Sequence, residues 1–212
     1  MSVFDRTAMT SSLWNSIRFN LSVLPDSLVT GLVVLSIVLA NYTLIVLAAG
    51  MVLTQLFTGY VGSLVSAPGN PPCESEFYAL TVKRLFGVDP PSPGPLAPST
   101  FMASIAYLFG FGVALQQIYA VEIEKFQTGT PLMINAIAGI LLVFVTFLFR
   151  AFWSKCDTVT AALGGTVLGF SLGYFGCVLL GYATNRRATN VWGIPFLQDR
   201  INKGSAIYVP VE

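Results

Sequence analysis

An all-α, polytopic membrane bundle of about five spans is the fold class that this sequence predicts, and two observations carry it. Of the 212 residues 54% are hydrophobic and only 10% charged, with a mean hydropathy of +0.72, well outside the range of soluble domains. Long uncharged stretches then recur along the chain at lengths that suit membrane helices, since roughly 20 residues of helix cross a bilayer. The chain is therefore expected to be an integral membrane protein. An organellar membrane is the expected location, with the endoplasmic reticulum and the mitochondrial inner membrane as the two candidates.

Residues 1–26 carry Asp5, Arg6 and Arg18 without a continuous apolar run, which does not fit a cleavable signal peptide. Within them Leu13, Ile17, Leu21 and Leu24 recur at helical spacing, the pattern of an amphipathic helix on the lipid surface or against the bundle. Residues 27–182 form the expected transmembrane unit. From Leu28 to Val65 there is no charge, enough for two short spans broken around Ala40-Asn41-Tyr42 or for one long tilted helix. Further spans are expected over 101–121, over 131–149 and from about Val159 to Tyr182. The loop 67–99, with a proline-rich exit, must share a membrane face with the 150–157 loop, because one two-span hairpin separates them. Residues 183–212 form a tail that spreads Trp192, Ile194, Phe196, Leu197, Ile201, Ile207 and Tyr208 through polar sequence. Disordered tails lack such residues, so this one is expected to dock, on other subunits or on its own loops.

Composition also excludes function classes. A net charge of +1 offers no basic stripe for nucleic acid. The chain has no histidine, which removes the commonest general base and metal ligand. The three cysteines, Cys73, Cys156 and Cys177, show no C-x-x-C spacing and read as free thiols rather than as a metal site. No cofactor and no metal are expected. A transporter is disfavoured because the spans hold no ionisable residue beyond Glu122 and Glu124 at a boundary.

Cations and hydroxyls nevertheless gather at one face: Lys83, Arg84, Ser99, Thr100, Arg150 and Lys155. Such a cluster suits an anionic headgroup. Each has a plainer reading, with Lys83 and Arg84 as interfacial anchors, Ser99 as a helix cap and Arg150 as a snorkelling side chain. Lys and Arg fall in nearly equal numbers on the two faces, so charge does not orient the bundle.

Three short patterns on that face give the chain a resemblance to the type 2 phosphatidic acid phosphatase superfamily, which dephosphorylates lipid phosphates and diphosphates. KRLFGVDPP keeps Lys83 and Pro91 of the first family pattern and has Pro90 where an arginine stands. PST keeps Pro98 and Ser99 of the second, with Phe101 in place of the histidine that protonates the leaving group. In the third, Arg150 is kept, Phe149 replaces a serine, Cys156 falls on the nucleophilic histidine and Thr160 on its orienting aspartate. Gly165, Gly169 and Gly173 continue it as the family's glycine-spaced helix would, although close helix packing alone accounts for them.

The resemblance implies a phosphatase-like bundle with its chemistry removed. A histidine nucleophile, a second histidine as acid and a set of cations are what that reaction uses, and Pro90, Phe101, Cys156 and Thr160 supply neither histidine. Lys83, Ser99 and Arg150 remain as expected contacts for a lipid headgroup. The expected function is a non-catalytic structural or lipid-binding subunit of a larger membrane complex, with anionic lipids and other membrane proteins as partners. The alternative is an active lipid phosphatase that uses Cys156 as its nucleophile.

Overall fold

The computed structural model describes residues 16, 20, 23–65, 97–120, 130–154, 156–184 and 187–189. Among these residues all regular structure is helical. Five helices follow in order: α1 (Leu24–Val38), α2 (Tyr42–Val65), α3 (Thr100–Ile118), α4 (Thr130–Leu148) and α5 (Val159–Ala183). A π-helical turn, Phe149–Trp153, extends α4, and a 3-10 turn, Arg187–Thr189, follows α5. Four of the helices are long and apolar enough to cross a membrane, with α1 the shorter exception. The protein is an integral membrane protein with an all-α bundle, as its composition predicts. The amphipathic helix expected before residue 24 lies largely outside the described residues, as do most of the 67–99 loop and most of the tail.

The break in the uncharged N-terminal stretch falls where the polar Asn41 stands, so this stretch is two helices rather than one. Helix α1 stops after Val38, and Ala40 takes a left-handed φ of 49° that reverses the chain. That conformation costs a non-glycine residue about 1–2 kcal/mol. Hydrogen bonds around Asn41 offset it: Ser36 Oγ donates to its carbonyl at 2.7 Å, and its side-chain oxygen accepts from the Thr43 N–H at 3.0 Å and from the Thr43 hydroxyl. The turn is satisfied within itself. The other end of α1 begins with Pro25 and Asp26 in the first turn, where a fixed φ and a negative charge both suit the free N–H groups.

The centre of the bundle is the pairing of α3 with α5, which run parallel. Gly165, Gly169 and Gly173 lie against the backbone of Ser99, Ala103 and Tyr107 in turn, so that a Cβ at any of them would collide with a carbonyl oxygen. Removing the side chain every four residues allows this approach, and in lipid, where burial gives no hydrophobic gain, close packing is what holds helices together. Gly110 of α3 meets the backbone of Phe170 in the same way. Around the seam, Met51 of α2, Met102, Ile105 and Ala114 of α3, and Cys177 of α5 are inaccessible or nearly so. Helix α4 is peripheral, with Ile140, Leu141, Phe144 and Val145 open to the surroundings, as lipid contact requires.

The first residues beyond α5 fold back on the bundle. The Thr184 hydroxyl accepts from the Ala188 N–H at 3.2 Å, and the Thr189 and Tyr119 hydroxyls are 2.9 Å apart. Ala188 and Thr189 are buried, so the tail begins by docking on its own chain.

The seam makes a sharp contrast available. Gly169→Ala should destabilise the protein by about 1–3 kcal/mol through overpacking. Gly112→Ala, where an added Cβ meets nothing within 4 Å, should be neutral or stabilising by up to about 1 kcal/mol. Thermal unfolding of both variants in one detergent measures the difference. Equal melting temperatures would mean that α3 and α5 are not packed backbone to backbone.

Candidate functional site

At the end of the bundle where α3 and α5 begin and α4 ends, one carboxylate holds three segments together. Asp157, in the short link between the π turn and α5, receives the Arg150 guanidinium side-on, with Nε 2.9 Å from Oδ2 and Nη2 3.2 Å from Oδ1. Ser99 Oγ donates to the same Oδ2 at 2.7 Å. Beneath the pair, the Phe101 ring lies 4.6 Å from the guanidinium carbon, in the face-on placement that attracts a cation. The Arg150 and Asp157 side chains keep only 9% and 12% of their exposure. This is a shielded, mutually neutralising ion pair.

Local chain geometry explains how Arg150 reaches inward from the end of an apolar helix. The turn from Phe149 to Trp153 is π-helical, and Ser154 closes it, its N–H reaching the Phe149 carbonyl at 2.8 Å and its hydroxyl at 3.0 Å. The Arg150 carbonyl then accepts from the Cys156 and Asp157 N–H groups at 3.1 and 3.4 Å. Arg150 thus holds the link by its backbone and its side chain together. On the far side of the cluster, Ser99 caps α3 by accepting from the Met102 N–H at 3.2 Å, and its own N–H bonds the Ala161 carbonyl in the first turn of α5 at 2.9 Å. Thr158 caps α5 through the Ala161 N–H at 3.2 Å.

The positions singled out from the sequence divide clearly. Ser99 and Arg150, expected as headgroup contacts, come together on Asp157, so the loop exit at 99 and the 150–157 segment do share a face. Ser99 also has the capping role that its place before a span suggested. Phe101 is buried under Arg150. Thr160 is exposed, its hydroxyl 3.1 Å from that of Thr158. Lys83 and Pro90 lie outside the described residues.

Cys156 requires a correction. It is disulfide-bonded, not the free thiol expected, whereas Cys177 is free and buried. Cysteine spacing along a chain does not disclose which thiols the fold brings within bonding distance. The bond also occupies the sulfur, and only a thiolate acts as a nucleophile.

Two residues at this end were missed. Asp157 is not among the residues that the sequence singles out, yet it is the acceptor on which the cluster converges. The signal was available, since an arginine at the end of an apolar helix needs a counter-ion once buried. Asp26 is a second buried carboxylate, and its neighbours Leu24 and Leu28 pack on the Phe101, Met102 and Ile105 group. Among the described residues no set of three metal-ligating side chains converges. No family model, curated protein or solved structure matches the chain.

Breaking the pair from one side should be costly. Asp157→Ala leaves a buried guanidinium without its partner and should lose about 3–5 kcal/mol, whereas the double change Arg150→Met with Asp157→Leu should recover most of that loss. Thr160→Ala, at an exposed position, should stay within about 0.5 kcal/mol of the parent. Denaturation in mild detergent reads all three. Additive losses in the double variant would show that the two side chains do not act as a pair.

Proposed function

We propose that the chain is a non-catalytic integral membrane protein that serves as a structural subunit of a larger membrane assembly. Its phosphatase-like end acts as a clasp for its own helices. The observation that carries this reading is the state of Arg150. In a phosphatase site the cations face the substrate phosphate and gain their effect by being unneutralised until it arrives. Here Asp157 already fills that role in two hydrogen bonds, and a headgroup would have to displace it. Phe101, at the position of the family's general acid, has no proton to give and supports the cation with its ring face instead. With its sulfur in a disulfide, Cys156 has no thiolate to offer as a nucleophile.

The assembly half of the proposal rests on the tail. Its seven large apolar side chains lie beyond Thr189, where the self-docked turn ends. Fully burying such side chains is worth about 1.5–3 kcal/mol each, a driving force that docking on a partner would supply.

Two measurements test the two halves. The purified protein should release no phosphate from phosphatidate or an isoprenoid diphosphate above a mock purification; turnover abolished by Cys156→Ser would establish the enzyme instead. Truncation after Thr189, which spares the docked turn, should leave the protein inserted and folded but shift it from a large complex to a small species in mild-detergent gel filtration. An unchanged elution position would remove the tail as the assembly element.

A further inference from the structure

We propose that α1, α2 and α3 enclose a binding site for one alkali-metal cation, with the Asp26 carboxylate as its counter-charge and Gln55, Thr54, Thr58 and Ser104 as its neutral oxygens. The observation that carries it is the state of the two larger polar side chains. Asp26 is 8% exposed and Gln55 5%, and among the described residues neither side chain makes a hydrogen bond or an ion pair. The one cation among the described side chains, Arg150, is already committed to Asp157. An enclosed charge without a partner is heavily penalised, and ionisable groups held inside membrane bundles mark ion and proton pathways.

Helix geometry brings these groups to one depth. Helices α1 and α2 run antiparallel on either side of the Asn41 turn. At 1.5 Å per residue, Asp26 lies about 18 Å before the end of α1 at Val38, and Gln55 about 20 Å after the start of α2 at Tyr42. The two therefore stand level, with about 15 Å of α2 continuing beyond them to Val65. Side-chain packing agrees with this register, since Val29, one turn from Asp26, packs on the group that contains Met51, one turn from Gln55. Two close approaches set α2 against α3: Gly50 to the tip of the Tyr107 ring, and Gly62 to Ala97. Thr54, one turn from Gly50, then faces Ser104, one turn before Tyr107, and Thr58 follows toward the clasp. All three are buried.

The chemistry of the cluster selects the ligand. Thr54 donates its proton to the Gly50 carbonyl at 2.8 Å, Thr58 to the Thr54 carbonyl at 2.7 Å and Ser104 to the Thr100 carbonyl at 2.9 Å. Each hydroxyl therefore presents only oxygen lone pairs to its surroundings. A carboxylate among hydroxyl and amide oxygens repels anions and suits a hard cation. The single carboxylate fixes the valence, because a monovalent ion leaves the site neutral whereas a divalent ion leaves an enclosed positive charge. Oxygens that share an ion stand around it rather than bonding one another, in keeping with the lack of direct bonds between Asp26, Gln55 and the three hydroxyls.

The test uses the full-length protein in mild detergent at near-neutral pH, with sodium or potassium chloride against N-methyl-D-glucamine chloride at equal ionic strength. The melting temperature should rise with the concentration of one of the two metal ions and then saturate. Asp26→Asn, which keeps the shape of the side chain, should lose that dependence, and Gln55→Leu should raise the half-saturating concentration roughly tenfold through the loss of one neutral oxygen. Dicyclohexylcarbodiimide, which adds to protonated carboxyls in apolar surroundings, gives a second readout on the parent alone. Mass spectrometry should find the Asp26 peptide modified in N-methyl-D-glucamine chloride and protected by the ion that raises the melting temperature. A parent whose melting temperature ignores both ions, a shift retained in Asp26→Asn, or carbodiimide labelling of Asp26 that the ion leaves unchanged would overturn the cation site.

Discussion

The absence of a side chain at Gly169, and at its neighbours one turn above and below, is the condition on which the rest of the bundle depends. Only without Cβ atoms can α5 lie against the α3 backbone. That proximity brings the Ser99 N–H to the Ala161 carbonyl and the Ser99 hydroxyl to Asp157. If the helices stood apart by a methyl group, Ser99 would cap α3 and nothing more. The polar cluster is thus a product of apolar packing beneath it, and in lipid it adds directional bonds to a contact otherwise held by dispersion.

Electrostatics decide what that cluster is. A lone arginine at the end of a membrane helix would extend toward the headgroups, and that picture favours a ligand site. The π turn instead directs Arg150 inward, onto a carboxylate seven residues later. Enclosure strengthens the pair and makes an unmatched partner expensive. The same residue type at the same place along the chain therefore passes from receptor to fastener through one local change of helix geometry.

What the sequence discloses follows the range of the forces involved. Spans are legible because uncharged length is a property of a single segment, and the α1–α2 break was visible in Asn41, a polar residue that closes its turn with its own side chain. Ser99 and Arg150 could be placed on one face by counting spans. Asp157 could not be found as their common acceptor, because its position depends on the π turn and on the backbone separation of α3 and α5. Cys156 failed as a free thiol for a similar reason, since pairing is set by three-dimensional proximity. The shortness of α1 was legible as well, because a break at Asn41 in an uncharged stretch that starts at Leu28 leaves too few residues for a full-length span.

That shortness has a consequence for the surrounding bilayer. At 1.5 Å per residue, the 15 residues of α1 extend about 22 Å, against about 36 Å for the 24 of α2 and about 37 Å for the 25 of α5. A hydrocarbon layer is roughly 30 Å thick. The bundle therefore offers lipid an uneven apolar height around its circumference, low beside α1 and tall beside α2 and α5. Acyl chains must compress at one flank and stretch, or the long helices tilt, at the others, each at a fraction of a kcal/mol per Å. Hydrophobic mismatch of this kind gives the molecule a thin side and a thick side, and a neighbour with a complementary thin side would relieve the deformation by sitting against α1.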